Sequence, residues 1–307
     1  MTSIINISPM NSRPIFSVST ALAAAYLVSH SYLQAADAPG DLWSHDNIAA
    51  WCIVPYDAKK RGPEERAQML EQLGLKKLAY DWRQEHVETF DAEIEALQRH
   101  HIELTAWWFP LGTDPLAKKI LAAFKRHDVH PQLWIPGPGN QALNTPEGPA
   151  RVDAQANRIR AVAQAAAEVG CTVGLYNHRE PWFEEQDNQI AISERLRRDG
   201  INNVGIVFNF HHWRGSLDQF PALFKRMQPY LIAVNLNGMP ADTTKYTGVN
   251  FVGTGQSEQL MMKVVQESGW HGPVGIINEH TDLDAADALA RNLAGLDRIA
   301  KELRAAK

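Results

Sequence analysis

Residues 48–80 read IAAWCIVPYDAKKRGPEERAQMLEQLGLKKLAY and form the unit that decides the fold. The apolar run Ile48–Val54 shows no polar alternation, so it predicts a strand buried on both faces, as in a parallel sheet. Pro63, followed by two glutamates, marks the start of a helix, and Gly74 falls just past its end. A second apolar run, Lys77–Tyr80, completes a strand–helix–strand unit.

The same unit recurs along the rest of the chain. Apolar residues recur at spacings of three and four, which is the pattern of amphipathic helices, and Asp114 before Pro115 and Ser216 before Leu217 mark helix starts. Further strands are predicted between these helices, at Ile102–Phe109, Gln132–Ile135, Thr172–Tyr176, Val204–Phe208, Leu231–Leu236 and Val274–Ile277.

Eight strand–helix units in about 260 residues predict an α/β fold, a (βα)8 TIM barrel that spans residues 48–307 as a single domain. A doubly wound open sheet is the alternative. It would more often carry a glycine-rich phosphate-binding turn after its first strand, and the segment VPYDAKKRG at residues 54–62 is no such turn. The barrel is therefore favoured.

The N-terminal segment has a different composition. Arg13 precedes an uncharged, alanine-rich stretch over residues 15–28, and small residues follow it. This pattern predicts a signal peptide over residues 1–36, cleaved after Ala36, and then a linker over residues 37–47. The apolar run is shorter than the roughly 20 residues that a membrane span needs. We therefore expect export to the periplasm or beyond, without stable membrane insertion.

Composition and charge narrow the classes of ligand. The net charge of −5 over 307 residues argues against nucleic acid as a partner, since that would require a basic face, and it weakens the alternative of a metal-assisted endonuclease. Nine tryptophans favour carbohydrate-like ligands, although most tryptophans fill cores. Cys52 and Cys171 lie in apolar runs and are expected to behave as small buried hydrophobes without a disulfide.

Polar residues gather where the predicted strands end, which is where TIM barrels carry their catalytic groups. Asp81, Arg83 and His86 also fit a surface ion pair with a helix-capping network. Trp107, Trp108 and Trp182 fit stacking on sugar rings as well as a core or lid role. The candidate substrate-binding residues are Asp81, Trp82, Arg83, His86, Trp108, Asn209 and Asn237.

Histidines follow predicted strands five, six and eight. We expect some of these histidines to converge at the mouth of the barrel: His178, His211, His212 and His280. Together with Glu279 they are ligands of the type that suits Mn, Co, Zn or Fe(II). The candidate metal ligands are His178, His211, His212 and Glu279. Imidazole needs only a modest pKa shift to act as a base near neutral pH, so the candidate catalytic residues are His178, His212 and Glu279, with Asp81 more distant.

Several motifs carry a family resemblance over about residues 45 to 304. The runs WCIVPYDAKKRGPEER, YDWR, YNH, NFHH and NLNGM resemble the sugar phosphate isomerase/epimerase proteins of the xylose isomerase-like TIM barrel superfamily, especially a secreted bacterial subgroup. The resemblance implies one divalent metal at the barrel centre and movement of a proton next to a carbonyl. It also implies metal ligands after strands five to eight: glutamate, aspartate, histidine and glutamate in that order.

The sequence departs from this ligand pattern. Tyr176 or Asn177 stands at the strand-five glutamate, Asn209 replaces the strand-six aspartate, and asparagines stand near strand seven. Glu279 alone keeps a carboxylate. Because amide oxygens bring no charge, a metal such as Mn, Co, Zn or Mg would depend on the histidines and Glu279.

The expected function is that of a sugar-active isomerase- or epimerase-like enzyme that abstracts a proton alpha to a carbonyl. One specific form is a lyase that acts on 3-keto-glycosides, and a small-molecule sugar or keto-glycoside is the expected partner. Export argues against a sugar phosphate, which is a cytoplasmic metabolite. The alternative is a non-catalytic carbohydrate-binding barrel, in which asparagines bind sugar hydroxyls without metal chemistry.

Overall fold

The structure is a computed structural model that describes residues 1–2, 41–138, 148–178 and 180–306 of the chain. The predicted signal peptide therefore lies almost wholly outside the described residues. Parallel strands, hydrogen-bonded in sequence order with the last strand beside the first, form a closed barrel. The strands are β1 (Ile48–Trp51), β2 (Lys77–Tyr80), β3 (Glu103–Trp108), β4 (Gln132–Ile135), β5 (Val173–Tyr176), β6 (Val204–Asn209), β7 (Leu231–Leu236) and β8 (Val274–Ile277).

Helices follow the strands, as the apolar spacing predicts. The described helices are α1 (Pro63–Gln72), α2 (Phe90–Arg99), α3 (Pro115–His127), α4 (Pro149–Ala167), α5 (Pro181–Glu184), α6 (Gln186–Arg198), α7 (Phe220–Met227), α8 (Glu258–Glu267) and α9 (Ala285–Ala305). The predicted (βα)8 barrel is confirmed. None of the helices in the described ranges is both long enough and apolar enough to cross a membrane.

Two of the predicted helix starts have different outcomes. Asp114 caps α3, because its side chain accepts a hydrogen bond of 2.8 Å from the Ala117 N–H. Ser216 instead precedes a 3-10 turn at Leu217–Gln219, and α7 begins only at Phe220.

The first strand is shorter than its apolar run. Cys52 has φ 58, a left-handed conformation that ends β1 at Trp51, although Ile53 and Val54 beyond it are buried. An apolar run indicates that a segment is buried, not that its backbone is extended. Here the buried segment continues past the strand into the loop after β1. Cys52 is half-buried and Cys171 buried, and both are free thiols.

The barrel interior is filled by large aromatic side chains opposite small residues. Trp51, Trp134 and Tyr176 pack there with alanines from β2, β3 and β7. The space they occupy depends on glycine: a Cβ on Gly174 would lie 2.5 Å from Val207 Cγ2 and 2.8 Å from Trp134 Cδ1. The barrel centre is therefore an apolar plug, and any site must lie above it.

Candidate active site

A cavity of about 150 Å³ opens above this plug, at the C-terminal ends of the strands. Its base, the aromatic floor, consists of Trp51, Trp108 and Tyr176. One side, the carboxylate wall, consists of Cys52, Tyr56, Asp81, Arg83 and Glu279. The other side, the imidazole wall, consists of His178, Asn209, His211 and His212. Because β1 and β2 lie opposite β5 and β6 in a closed eight-stranded barrel, the two walls face each other.

The aromatic floor is held by ring contacts and hydrogen bonds. Trp108 packs edge-on against Tyr176, with ring centroids 5.3 Å apart. The Tyr176 hydroxyl accepts a hydrogen bond of 2.9 Å from Trp51 Nε1 and another from Asn209 Nδ2. Burial raises the pKa of Tyr176 above its ordinary value. The hydroxyl therefore stays neutral, and the floor presents aromatic side chains, tilted against one another, to the cavity.

Asp81 is the most unusual group of the carboxylate wall. It follows β2 directly and is only 2% exposed. Its Oδ1 accepts a 3.2 Å hydrogen bond from the Val54 N–H, and Oδ2 has no hydrogen-bond partner among the described residues. Burial raises the pKa of Asp81 to about 7, against the opposing field of Arg83. Asp81 is therefore poised to gain or lose a proton near neutral pH.

Arg83 does not pair with the Asp81 carboxylate. Its Nη1 donates instead to the backbone carbonyls of Asp81 at 2.6 Å and Trp82 at 2.9 Å. The alternative interpretation as a surface ion pair therefore does not hold for Asp81, which is buried and lines the cavity. Arg83 also lies over the Tyr56 ring, 5.7 Å from its centroid.

Glu279 lies further along the carboxylate wall, beside Tyr56 and Cys52. Burial, together with the neighbouring Glu279 carboxylate, raises the pKa of Tyr56 to about 12. Burial also raises the pKa of the Cys52 thiol, and the negative charges of Asp81 and Glu279 add to that effect. Since a thiol of raised pKa is a poor nucleophile, Cys52 is not a candidate nucleophile of this site.

The imidazole wall brings three of the predicted histidines together. His178 and His212 have ring centroids 4.8 Å apart, and His211 and His212 4.9 Å apart. The last two lie on a 3-10 turn after β6, which Asn209 caps by accepting a 2.9 Å hydrogen bond from the His211 N–H. His212 Nδ1 lies 3.8 Å from Glu184 Oε1, at the outer edge of the wall.

Other predicted site residues lie outside the cavity. Trp82 packs on Phe90 and donates its Nε1 hydrogen to the Trp108 carbonyl at 2.6 Å. His86 accepts a 2.9 Å hydrogen bond from the Arg83 N–H, so it caps the loop. Asn237 is buried and donates to the Gly238 carbonyl at 2.9 Å. These three residues support the loops of the site.

His280 and two tryptophans also fall outside the cavity. The His280 ring stacks on Phe251 at 4.1 Å. Trp107 is fully buried beside Tyr80, in the layer between strands and helices. Trp182 lies under the Arg151 guanidinium, 5.5 Å away. Of the three tryptophans considered for stacking, Trp108 is the one that lines the cavity.

The sequence identified Trp108 of the floor but not the rest of the floor or part of the carboxylate wall. Trp51, Cys52, Tyr56, Tyr176 and Ile277 line the cavity but were not selected as binding residues. The signal for the floor was present in the period of two along a strand, because Trp107 and Trp108 must face opposite sides of β3. The same alternation of side chains applies to Tyr176, the last residue of β5, which lines the cavity.

The donor groups of the site do not fit a divalent metal as they are arranged. Within the described ranges, no three His, Cys, Asp or Glu side chains are grouped so that they could hold a metal ion. The histidines line one wall and Glu279 the other. The Asn177 amide is engaged with the Asn209 backbone, to which it donates at 3.1 Å and from which it accepts at 2.8 Å. The chemistry that this arrangement supports is proton transfer and hydrogen bonding by side chains.

Comparison with known proteins identifies the fold. No protein-family model matches the chain, and no curated protein sequence matches it. A xylose isomerase-like TIM barrel protein from Mycobacterium smegmatis, solved with magnesium, superposes with a TM-score of 0.55 at 12% identity, covering 84% of this chain and 97% of that one. This chain has the fold of the xylose isomerase-like TIM barrels.

Two further solved structures have a similar fold. The 3-keto-D-glucoside 4-epimerase from E. coli, in its apo form, has a TM-score of 0.57 and 14% identity, with 82% of this chain and 99% of that chain covered. The probable 3-DHS dehydratase involved in petrobactin synthesis from Bacillus anthracis has a TM-score of 0.59 and 13% identity, with 81% and 98% covered.

Proposed function

We propose that this protein abstracts a proton alpha to a carbonyl of a neutral sugar derivative, with Asp81 as the general base. The observation that carries the proposal is the cavity itself, in which a buried carboxyl group faces an imidazole wall across an aromatic floor. A sugar ring stacked on such a floor presents its C–H bonds to groups on either side. Proton transfer across the ring is the reaction that these groups support.

Asp81 is favoured as the base over the histidines and Glu279. A carboxylate with a pKa of about 7 is a stronger base than an ordinary one, and it is about half ionised at neutral pH and ionised above it. One of its oxygens has no hydrogen-bond partner within the described residues, so accepting a proton there breaks no bond of the resting site.

His178 and Arg83 are assigned to stabilising the carbonyl oxygen. Removing a proton next to a carbonyl leaves negative charge on the carbonyl oxygen, and preorganised N–H donors stabilise that charge. His178 lies on the wall opposite Asp81, and Arg83 lies beside Asp81. Trp108 and Tyr176 lie beneath the ring as part of the aromatic floor and exclude water from one of its faces.

The specific reaction that we propose is β-elimination from a 3-keto-glycoside. Asp81 takes the proton from C2, which the neighbouring ketone acidifies. The C–H electrons form a C1–C2 double bond, the C1–O bond breaks, and the departing oxygen takes up a proton, for which His212 is the candidate donor. Two proteins of similar fold are named for related chemistry, a 3-keto-D-glucoside epimerase and a dehydratase, which supports this substrate class.

Exchange in D₂O tests the proposal. Incubation with methyl 3-oxo-glucoside and with an aryl 3-oxo-glucoside should give deuterium at C2 and release of the phenol. Asp81→Asn should lower both rates about 10²- to 10⁴-fold, the contribution typical of a general base. Glu85→Gln is the matched control, because Glu85 is exposed on the same loop and outside the cavity.

Each part of the proposal has its own contrary outcome. Exchange without release of the phenol would leave the proton abstraction and remove the elimination. Sugar binding with neither exchange nor release would overturn the enzymatic proposal and favour a carbohydrate-binding barrel. Equal rates for Asp81→Asn and Glu85→Gln would assign the base to another residue.

A further inference from the structure

A second, larger cavity lies against the imidazole wall. We call it the outer groove, and its walls come from α5, the start of α6, the loop after β6 and α7. Residues on its walls include Glu184, Asp187, Arg214, Asp218, Ala222 and Arg226. His212 lines both the cavity and the outer groove. It is only 7% exposed, so it stands as a partition between two adjoining spaces.

The sizes of the two spaces point to a substrate with two parts. The cavity of about 150 Å³ is smaller than the roughly 300–1,000 Å³ of most small-molecule sites, and its aromatic floor suits one ring. The outer groove measures about 820 Å³. A ligand in the cavity that extends past His212 therefore enters a space large enough for a second group.

The charges of the outer groove select against an acidic second group. Four carboxylates line it, at residues 184, 185, 187 and 218, against two arginines. Arg226 is already paired with Asp187 at 3.0 Å. Arg214 donates to the Trp213 carbonyl at 2.7 Å and lies over the Tyr246 ring. A phosphate or uronate would meet mainly negative charge here, whereas neutral hydroxyl groups can donate hydrogen bonds to carboxylates.

We propose that the outer groove is the subsite for the leaving group of a neutral glycoside, whose oxidised ring occupies the cavity. This inference rests on the proposed function, because only an elimination has a leaving group. His212 then lies beside the bond between the two parts of the substrate. The substrate class is a glycoside with a neutral sugar or other hydroxyl-bearing aglycone.

Calorimetric titration with unoxidised sugars tests the subsite without any turnover. The probes are three neutral disaccharides (cellobiose, maltose and trehalose) and the methyl glucosides as single-ring references. At least one disaccharide should bind about tenfold or more tightly than the methyl glucosides, and glucose 1-phosphate should bind more weakly than they do. Ala222→Trp, on the exposed face of α7 that lines the outer groove, should abolish the advantage of the disaccharide.

Lys225→Trp is the matched control for this substitution. It places the same side chain on the same helix at an exposed position outside the outer groove, so both affinities should be unchanged. Equal affinities for all neutral sugars, or equal effects of the two tryptophan variants, would overturn the subsite. Neither result bears on deuterium exchange into methyl 3-oxo-glucoside, which needs the cavity alone. Failure of the subsite is therefore distinguishable from failure of the proposed function.

Discussion

At the residue scale, Asp81 separates what a sequence can place from what it cannot. Its position after a strand identified it as a candidate, since strand ends face the mouth of a barrel. Its chemistry depends on burial beneath neighbouring loops, which come from distant parts of the chain. The Val54 N–H that donates a hydrogen bond to Asp81 belongs to the loop after β1, and nothing in the sequence near Asp81 predicts that contact.

The raised pKa of Asp81 predicts the pH dependence of the exchange rate. A general base works in its ionised form, so the rate of C2 exchange should rise with pH through about 7 and level off above it. The measurement is the exchange rate between pH 5 and 9. The profile should lose this step in Asp81→Asn and keep it in Glu85→Gln. A wild-type rate that is flat between pH 5 and 8 would contradict Asp81 as the base.

The same pKa predicts a change in stability. The folded pKa of about 7 lies above the ordinary 3.8, so the folded state binds this proton more tightly than the unfolded state. The contribution of Asp81 to stability is complete below about pH 4 and is lost as the pH rises through 7. Asp81→Asn should therefore gain of the order of 2–4 kcal/mol relative to the wild type between pH 4 and 8, measured by urea unfolding. A constant difference would show that Asp81 titrates normally.

At the element scale, apolar runs placed the strands well wherever burial and extended backbone coincide. Lys77–Tyr80 and Gln132–Ile135 are bounded as the pattern predicts. The run at Ile48–Val54 extends past its strand because the left-handed Cys52 interrupts the backbone without interrupting burial. Pro181–Glu184 forms a helix too short to show a periodic pattern.

Glycine within strands is a second element-scale feature, and it yields a prediction. Gly174→Ala should lower the free energy of unfolding by about 1–3 kcal/mol, since its Cβ would overlap Val207 Cγ2 and Trp134. Val207→Ala removes that methyl group, so the double variant should be more stable than the sum of the two single effects. Gly112→Ala, where a Cβ meets no atom within 4 Å, is the control and should be close to neutral. Additive losses would mean that the interior adjusts without strain.

At the scale of the whole molecule, the alternation of strands and helices predicted a parallel α/β fold, and the lack of a glycine-rich turn after the first strand favoured the closed barrel over an open sheet. Alternation is repeated along the chain, so an error in one element does not change the architecture. The side chains of the site are not repeated in this way, so each of them has to be predicted separately. The same fold, shared at 12–14% identity with the three structures compared above, holds an aromatic plug here. Either Tyr176 or Asn177, and Asn209, stand where the family resemblance implies acidic ligands.

Export is a prediction about the whole chain that follows from its N-terminal composition. Expressed in a Gram-negative host, the protein should be recovered from the periplasm with a mature chain that begins at Asp37. Intact mass and N-terminal sequencing of the periplasmic fraction measure this. Ala36→Arg should block cleavage at that bond, because the processing site requires a small residue. Recovery of the uncleaved chain from the cytoplasm would contradict the prediction.

The placement of the candidate ligands on two different walls leads to a prediction about metal dependence. A divalent ion in such a barrel needs three or more ligands that converge, and the described residues place His178 and His212 on one wall and Glu279 on the other. The purified mature protein should therefore carry well under one equivalent of Mn, Co, Zn or Mg by elemental analysis. Treatment with EDTA should leave both Tm and the rate of C2 exchange unchanged. Stoichiometric metal in the purified protein, whose removal stops exchange, would contradict this prediction. If a metal is bound, His212→Gln and Glu279→Gln should both release it. If no metal is bound, His212→Gln should lower the rate of leaving-group release and leave the metal content unchanged.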